Sequence, residues 1–216
     1  MGIGNFFSDA ARLLFMGVGI SDAGTIPRKI DLAKINSGAG SSGSWRLINC
    51  SASIVEFKGK EAVHFEAHGG EALALYEGLE LSAGKIDVAI AAIPQKVGLV
   101  IRASSTDERE VVIFEIDANP ETSRLALTVR FGRQSAVVEL PSRLIDEWLA
   151  ARVVMTRDFT AIFLNNSNTP SLKVPTKVPA RTPDAAGGKI GFWIGDHSQA
   201  MVADMKYLQS RKRDFE

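Results

Sequence analysis

The sequence lacks most of the features that mark a chemical class on sight. A single cysteine, Cys50, in 216 residues excludes an intrachain disulfide, and with three histidines in all no Cys/His cluster has the spacing of a zinc site. Cys50 reads as a small apolar group beside a strand, and the missing disulfide leaves the compartment open. Charge of one sign is also missing: Lys and Arg number 25, Asp and Glu 25, so no global field exists to hold nucleic acid or an anionic membrane surface. No apolar run approaches the roughly 20 residues of a membrane-spanning helix. There is no glycine-rich phosphate loop, nucleophile elbow or HExxH. No repeat of fixed period appears, which argues against a propeller or a β-helix. Helical periodicity is scarce too.

What remains is a chain with 45% hydrophobic residues, enough to bury a full core, arranged mostly with period two. In KIDVAIAA, Ile86, Val88 and Ile90 share one face while Asp87, Ala89 and Ala91 share the other. In RLALTVRF, Leu125, Leu127, Val129 and Phe131 oppose Arg124, Ala126, Thr128 and Arg130. This is the alternation of a half-buried antiparallel strand. EVVIFEIDAN is apolar on both faces until Glu115 and reads as a central strand. Further strands are expected at Ala62 to Phe65, Ala72 to Tyr76, Gly98 to Ala103, Ala136 to Leu140, Ala151 to Thr156, Thr160 to Leu164 and Leu172 to Val174. One short turn of helix is expected at PSRLIDEW, with Pro141 in its first turn and Leu144, Ile145 and Trp148 inward. So many short strands, each bounded by Gly, Asn, Asp or Pro, predict an all-β sandwich of two antiparallel sheets, with a closed barrel as the runner-up.

Three segments follow. Residues 1–27 form an N-terminal helix or leader: Phe6, Phe7, Ala10, Leu13 and Leu14 recur at helical spacing before Gly17 and Gly19 stop it, while Leu13 to Ile20 has the length of a signal h-region behind a poor n-region with Asp9 and only Arg12. The helix is slightly preferred. Residues 28–210 form the sandwich, and 211–216, RKRDFE, a charged solvated tail. Asn36 to Ser44, NSGAGSSGS, is a loop within the domain. Near the C-terminus, Gly187 to Leu208 reads as a closing hairpin: Lys189 to Ile194 run out, Gly195 to Gln199 reverse the chain, and Met201 to Leu208 return antiparallel. Ile190, Phe192 and Ile194 then share one face, and Trp193 stands between Gly191 and Gly195 on the other with open space beside it.

That segment resembles the closing stretch of the concanavalin A-like lectins and glucanases, through Gly188, Ile190, Gly191, Phe192 and Trp193, then Val202, Asp204 and Met205, where an Asn of the pattern is missing. GLELSAGKIDVAIAA looks like that superfamily's glycine-opened strand, and VGLVIRASSTDEREVVIFEID is similar to a stretch of 3-keto-disaccharide hydrolase-type and laminin-G-like domains. EWLAARVVMTRDFTAIFLNN matches a further hairpin through Trp148, Arg152, Val153, Ala161, Phe163, Leu164 and Asn165. The resemblance covers roughly residues 28 to 208 and implies a jelly roll that binds ligand on its concave sheet or rim loops. It also favours a secreted or cell-envelope location.

Charged residues in otherwise apolar strands, together with one ring, are therefore the candidate ligand-binding residues: Arg102, Glu115, Asp117, Arg130 and Trp193. The aromatic face of Trp193 matches the C–H face of a pyranose; core packing is the alternative, as it is for Trp45 and Trp148. An Arg102–Glu115 bridge that fixes sheet register is the plain structural reading of that pair. Glu115 and Asp117 are also the catalytic candidates, because they resemble the start of the E-x-D-x-(x)-E strand of laminarinase-type retaining glycosidases, which need two carboxyls about 5 Å apart. Asn119 stands where the last Glu belongs, Pro120 follows, and Glu121 lies beyond. In the 3-keto-disaccharide hydrolase pattern, Asp117 replaces a Gln. No cofactor is expected, with Asp196 and His197 as a candidate rim calcium site. The leading functional reading is a noncatalytic carbohydrate-binding module. Its rivals are an atypical glycoside hydrolase acting on a small or oligomeric sugar and a structural or protein-binding sandwich.

Overall fold

The computed structural model describes residues 26–36, 44–91, 93–103, 110–116, 124–131, 134–141, 148–156, 158–175 and 187–210. Pro27–Gln209 form one compact unit. The N-terminal helix or leader up to residue 25, the tail 211–216, and residues 142–147 of the expected helical turn lie outside the described residues; Pro141 ends a strand and Trp148 opens one.

In chain order the strands are β1 (Arg28–Lys29), β2 (Trp45–Ile48), β3 (Cys50–Phe57), β4 (Lys60–Ala67), β5 (Ala72–Leu81), β6 (Gly84–Ala91), β7 (Gln95–Ala103) and β8 (Glu110–Ile116). They continue with β9 (Arg124–Phe131), β10 (Gln134–Pro141), β11 (Trp148–Met155), β12 (Phe159–Leu164), β13 (Leu172–Pro175), β14 (Gly188–Ile194) and β15 (Gln199–Gln209). A single 3-10 turn, Leu32–Asn36, is the only helical element among the described residues. The back sheet has the order β13-β12-β11-β6-β15-β4-β3, with β1 added to β15, and the front sheet the order β10-β9-β8-β7-β14-β5-β2. Every pairing is antiparallel. The protein is a jelly-roll sandwich.

Alternation decides which side chains meet between the sheets. Ile86, Val88 and Ile90 of β6 face Val112, Phe114, Leu127 and Val129 of the front sheet in one buried core. Phe192 crosses the gap, stacked on Trp45 at 5.8 Å and 12° and touching Phe65 of the back sheet at 5.4 Å. Trp45 is thus a core residue. Trp148 is half-buried on the outside of the back sheet, edge-on to Phe57 at 5.7 Å and donating to the Lys58 carbonyl at 3.4 Å.

The closing segment differs from the expected hairpin. β14 pairs with β5 and β7 in the front sheet, whereas β15 pairs with β1, β4 and β6 in the back sheet. The turn between them, closed by Ser198 N–H to the Gly195 carbonyl at 3.1 Å, carries the chain from one layer to the other. Both strands are centrally placed, so each half of this segment is apolar for its own sheet's sake.

Candidate functional site

The outward face of the front sheet carries the side chains left over from core packing. On β8 these are Val111, Ile113 and Glu115, on β7 Lys96, Gly98 and Val100, and on β14 Gly191 and Trp193. The face is not polar. Leu73, Leu75, Val100, Val111, Ile113 and Trp193 form a second apolar cluster in which no member is more than 6% exposed. Trp193 pairs across the strands with Gly98, where a Cβ would lie 3.2 Å from the indole Cε3, so glycine lets the ring lie flat against the sheet. The open space expected beside Trp193 is filled, and the ring is 3% exposed.

Arg130, outward on β9, lies over the Trp193 ring at 5.1 Å and donates to both oxygens of Glu71, at 3.0 and 3.4 Å. Glu71 leads into β5, and β8, β7 and β14 stand between that strand and β9. At about 4.8 Å per strand the two strands would be roughly 19 Å apart in a flat sheet, more than two extended side chains span. The sheet therefore curls toward this side, and Arg130, Glu71 and Trp193 meet in its concavity.

Glu115 forms a cross-strand pair with Lys96 at 3.2 Å, half-exposed on both sides. Exposed pairs of this kind contribute little. Glu115→Gln and Lys96→Met are accordingly expected to change unfolding free energy by less than about 0.5 kcal/mol, checked by urea denaturation; a loss of several kcal/mol would contradict this placement. Asp117 lies outside the described residues.

Arg102 does not bond Glu115, which corrects the expected bridge. Its φ of +53°, beside a register shift in the β14–β7 pairing, takes the side chain out of the simple alternation. The guanidinium donates to Glu110 at 2.9 Å, the Thr156 carbonyl at 2.8 Å and the Ser82 carbonyl at 2.9 Å. Glu110 faces inward on β8 and accepts a second hydrogen bond from the Thr160 hydroxyl of β12 at 2.6 Å. Burial pushes the Glu110 carboxyl above the usual carboxylate range, and the Arg102 charge and the Thr160 and Arg102 hydrogen bonds oppose that. The cluster ties the front sheet to the back one and contributes nothing to the concave face.

At the rim, Asp196 accepts the Gly70 N–H at 2.6 Å, with His197 Nε2 at 3.5 Å. Among the described residues no group of three or more His, Cys, Asp or Glu side chains could hold a metal ion. Among the same residues no helix is long and apolar enough to cross a membrane.

Two residues of these arrangements escaped the sequence reading. Glu110 shares parity with Val112, Phe114 and Ile116 and was legible as an inward carboxylate. Glu71 lies in the turn HGGEA, where no periodicity operates.

Fold and site together define an all-β jelly-roll sandwich with an aromatic, ion-paired spot on its front sheet. No protein-family model matches the chain and no curated protein matches it in sequence. Among solved structures it is similar to a β-1,3-glucanase from Mycobacterium marinum, at TM-score 0.52 and 12% identity over 85% of this chain and 97% of that one. A β-glucanase from Bacillus licheniformis superposes at TM-score 0.53 and 8% identity over 88% and 100%. A glycosyl hydrolase family 16 protein from Mycobacterium smegmatis gives 0.51 and 12% over 85% and 98%. At these identities the likeness establishes the fold.

Proposed function

We propose that the chain is a noncatalytic carbohydrate-binding sandwich whose ligand meets the concave sheet at Trp193, Arg130 and Glu71. The observation that carries this is a guanidinium lying over an indole while a carboxylate takes its hydrogen bonds: one spot brings together an aromatic ring, reached when the pair above it rearranges, and both donors and acceptors for hydroxyls. The Arg130 and Glu71 side chains are 29% and 44% exposed, and a surface pair of this kind is worth about 0.2–1 kcal/mol. The names of the glucanases similar in fold make glycans the first ligands to try.

Hydrolysis through Glu115 and Asp117 is the weaker reading. Glu115 faces Lys96, and Glu71 faces Arg130, whereas retaining chemistry needs two carboxyls about 5 Å apart. The finer resemblance to 3-keto-disaccharide hydrolase-type domains implies Arg102 and Glu115 in one site, whereas Arg102 is engaged with Glu110. A structural or protein-binding sandwich is favoured by one observation, the near-complete burial of Trp193.

A glycan array paired with a reducing-sugar assay on the intact chain separates the three. Glycan binding without release of reducing ends, lost in Arg130→Met at unchanged thermal midpoint, is the expected result. Release of reducing ends would select hydrolysis, and silence in both assays would leave the structural reading standing.

A further inference from the structure

We infer, resting on the concave-face reading above, that the ligand carries a carboxylate, as in a uronic acid-containing saccharide, and that Glu71 is the resident stand-in for that group on Arg130. Arg130 presents a planar fork, and its two terminal nitrogens donate one to each oxygen of Glu71, the bidentate geometry that distinguishes carboxylate recognition by arginine from point-charge attraction by lysine.

The second observation is an orphan donor. Trp193 Nε1 is buried and has no hydrogen-bond partner, although the ring it belongs to is the one Arg130 covers. An indole N–H only donates, and so does a guanidinium, so neither group satisfies the other. The apolar floor, Leu73, Leu75, Gly98, Val100, Val111 and Ile113, brings no side-chain acceptor, and Thr128, cross-strand to Ile113 on the same face, does not bond the indole. The Nε1 donor of this spot is therefore unmatched. Trp45 Nε1 is also unpartnered, but that ring lies between the sheets, beyond reach of a ligand.

Exchange of one carboxylate for another on Arg130 keeps its charge-assisted bonds, and a hydroxyl or ring oxygen of the same sugar then accepts from Trp193 Nε1, a bond that Glu71 does not make. A neutral sugar has to trade charge-assisted bonds for weaker neutral ones. Glu71, once displaced, stays near the incoming carboxylate and repels it, so the resident group sets the threshold for binding.

The test is calorimetric titration of the intact chain with free-acid uronate oligomers (galacturonate, glucuronate and mannuronate), their methyl esters, and neutral β-glucan oligomers of equal length. The free acid is expected to bind at least about tenfold tighter than its own ester, a preference that shrinks with added salt. Arg130→Lys keeps the charge without the fork and is expected to abolish most of the preference, while Glu71→Gln removes a repulsion that only the acid feels, so it tightens acid binding more than ester binding and widens the preference severalfold. Thermal unfolding of each variant shows whether it is folded. Esters or β-glucans that bind as tightly as the acids would overturn this inference and leave the concave-face reading intact. Failure of every saccharide to bind would overturn both.

Discussion

Replacing Arg102 by leucine is expected to destabilise the protein by about 3–5 kcal/mol, because it leaves the buried Glu110 carboxylate without its counter-charge. Arg102 and Glu110 side chains are 11% and 5% exposed, and the guanidinium also satisfies two backbone carbonyls, of Ser82 and Thr156. The loss depends on pH in a defined direction. A carboxyl whose folded pKa is raised binds protons more readily in the fold than in the unfolded chain, so its contribution is most favourable below the ordinary value of 4.5 and is lost as pH rises through the folded one. Removing Arg102 lifts the folded value further. Urea unfolding at pH 4 and pH 8 should therefore show a smaller deficit for Arg102→Leu at pH 4, where Glu110 is protonated. Equal deficits at the two pH values would contradict the role given to this pair.

Phe192→Ala should cost about as much, roughly 3–5 kcal/mol, by a different mechanism. The ring is 1% exposed and fills the space between the layers, in contact with Trp45 of its own sheet and Phe65 of the other. Truncation removes the transfer free energy of the ring and leaves a cavity that two sheets held by their own ladders cannot close. This loss should be nearly the same at both pH values, which separates it from the effect of Arg102. A change under 1 kcal/mol would mean that the front sheet relaxes onto the back one, and the inter-sheet core would need redrawing.

Much of this architecture was legible because period-two alternation is a local property. Ile86, Val88 and Ile90 announce their face without help from the rest of the chain, as do Leu127 and Val129, and the inward set Ile190, Phe192 and Ile194 follows in the same way. Alternation says which residues share a face and is silent about which strand lies alongside. β14 and β15 thus looked like a hairpin although the turn between them changes layers. A β-bulge is equally invisible. Counting by twos places Arg102 with Val100 and near Glu115, and only the left-handed backbone at Arg102 and the shifted register opposite Gly191 send its guanidinium to Glu110. The concave trio was half legible: Arg130 and Trp193 are on the outward parity of their strands, but Glu71 comes from a turn, and its meeting with Arg130 depends on sheet curvature, a property of many strands acting together.

The outer face of the back sheet offers a contrast. Lys60 bonds Asp204 and lies 5.8 Å from the Trp148 ring, and the hydrogen bond from Lys60, more than its charge, holds the Asp204 carboxyl below its usual range. There the aromatic N–H already has an acceptor, the Lys58 carbonyl. On the concave side the corresponding donor has none. On this difference the ligand proposed above is expected at Trp193.

The three tryptophans make the decisive measurement simple. In a two-dimensional 15N–1H spectrum each indole N–H gives its own peak, assignable with Trp45→Phe, Trp148→Phe and Trp193→Phe. On titration with a saccharide that the intact chain binds, the account predicts that the Trp193 peak moves far more than the other two, as its orphan N–H gains an acceptor. A Trp148 peak that moves while Trp193 stays fixed would place the ligand on the opposite sheet and contradict the account.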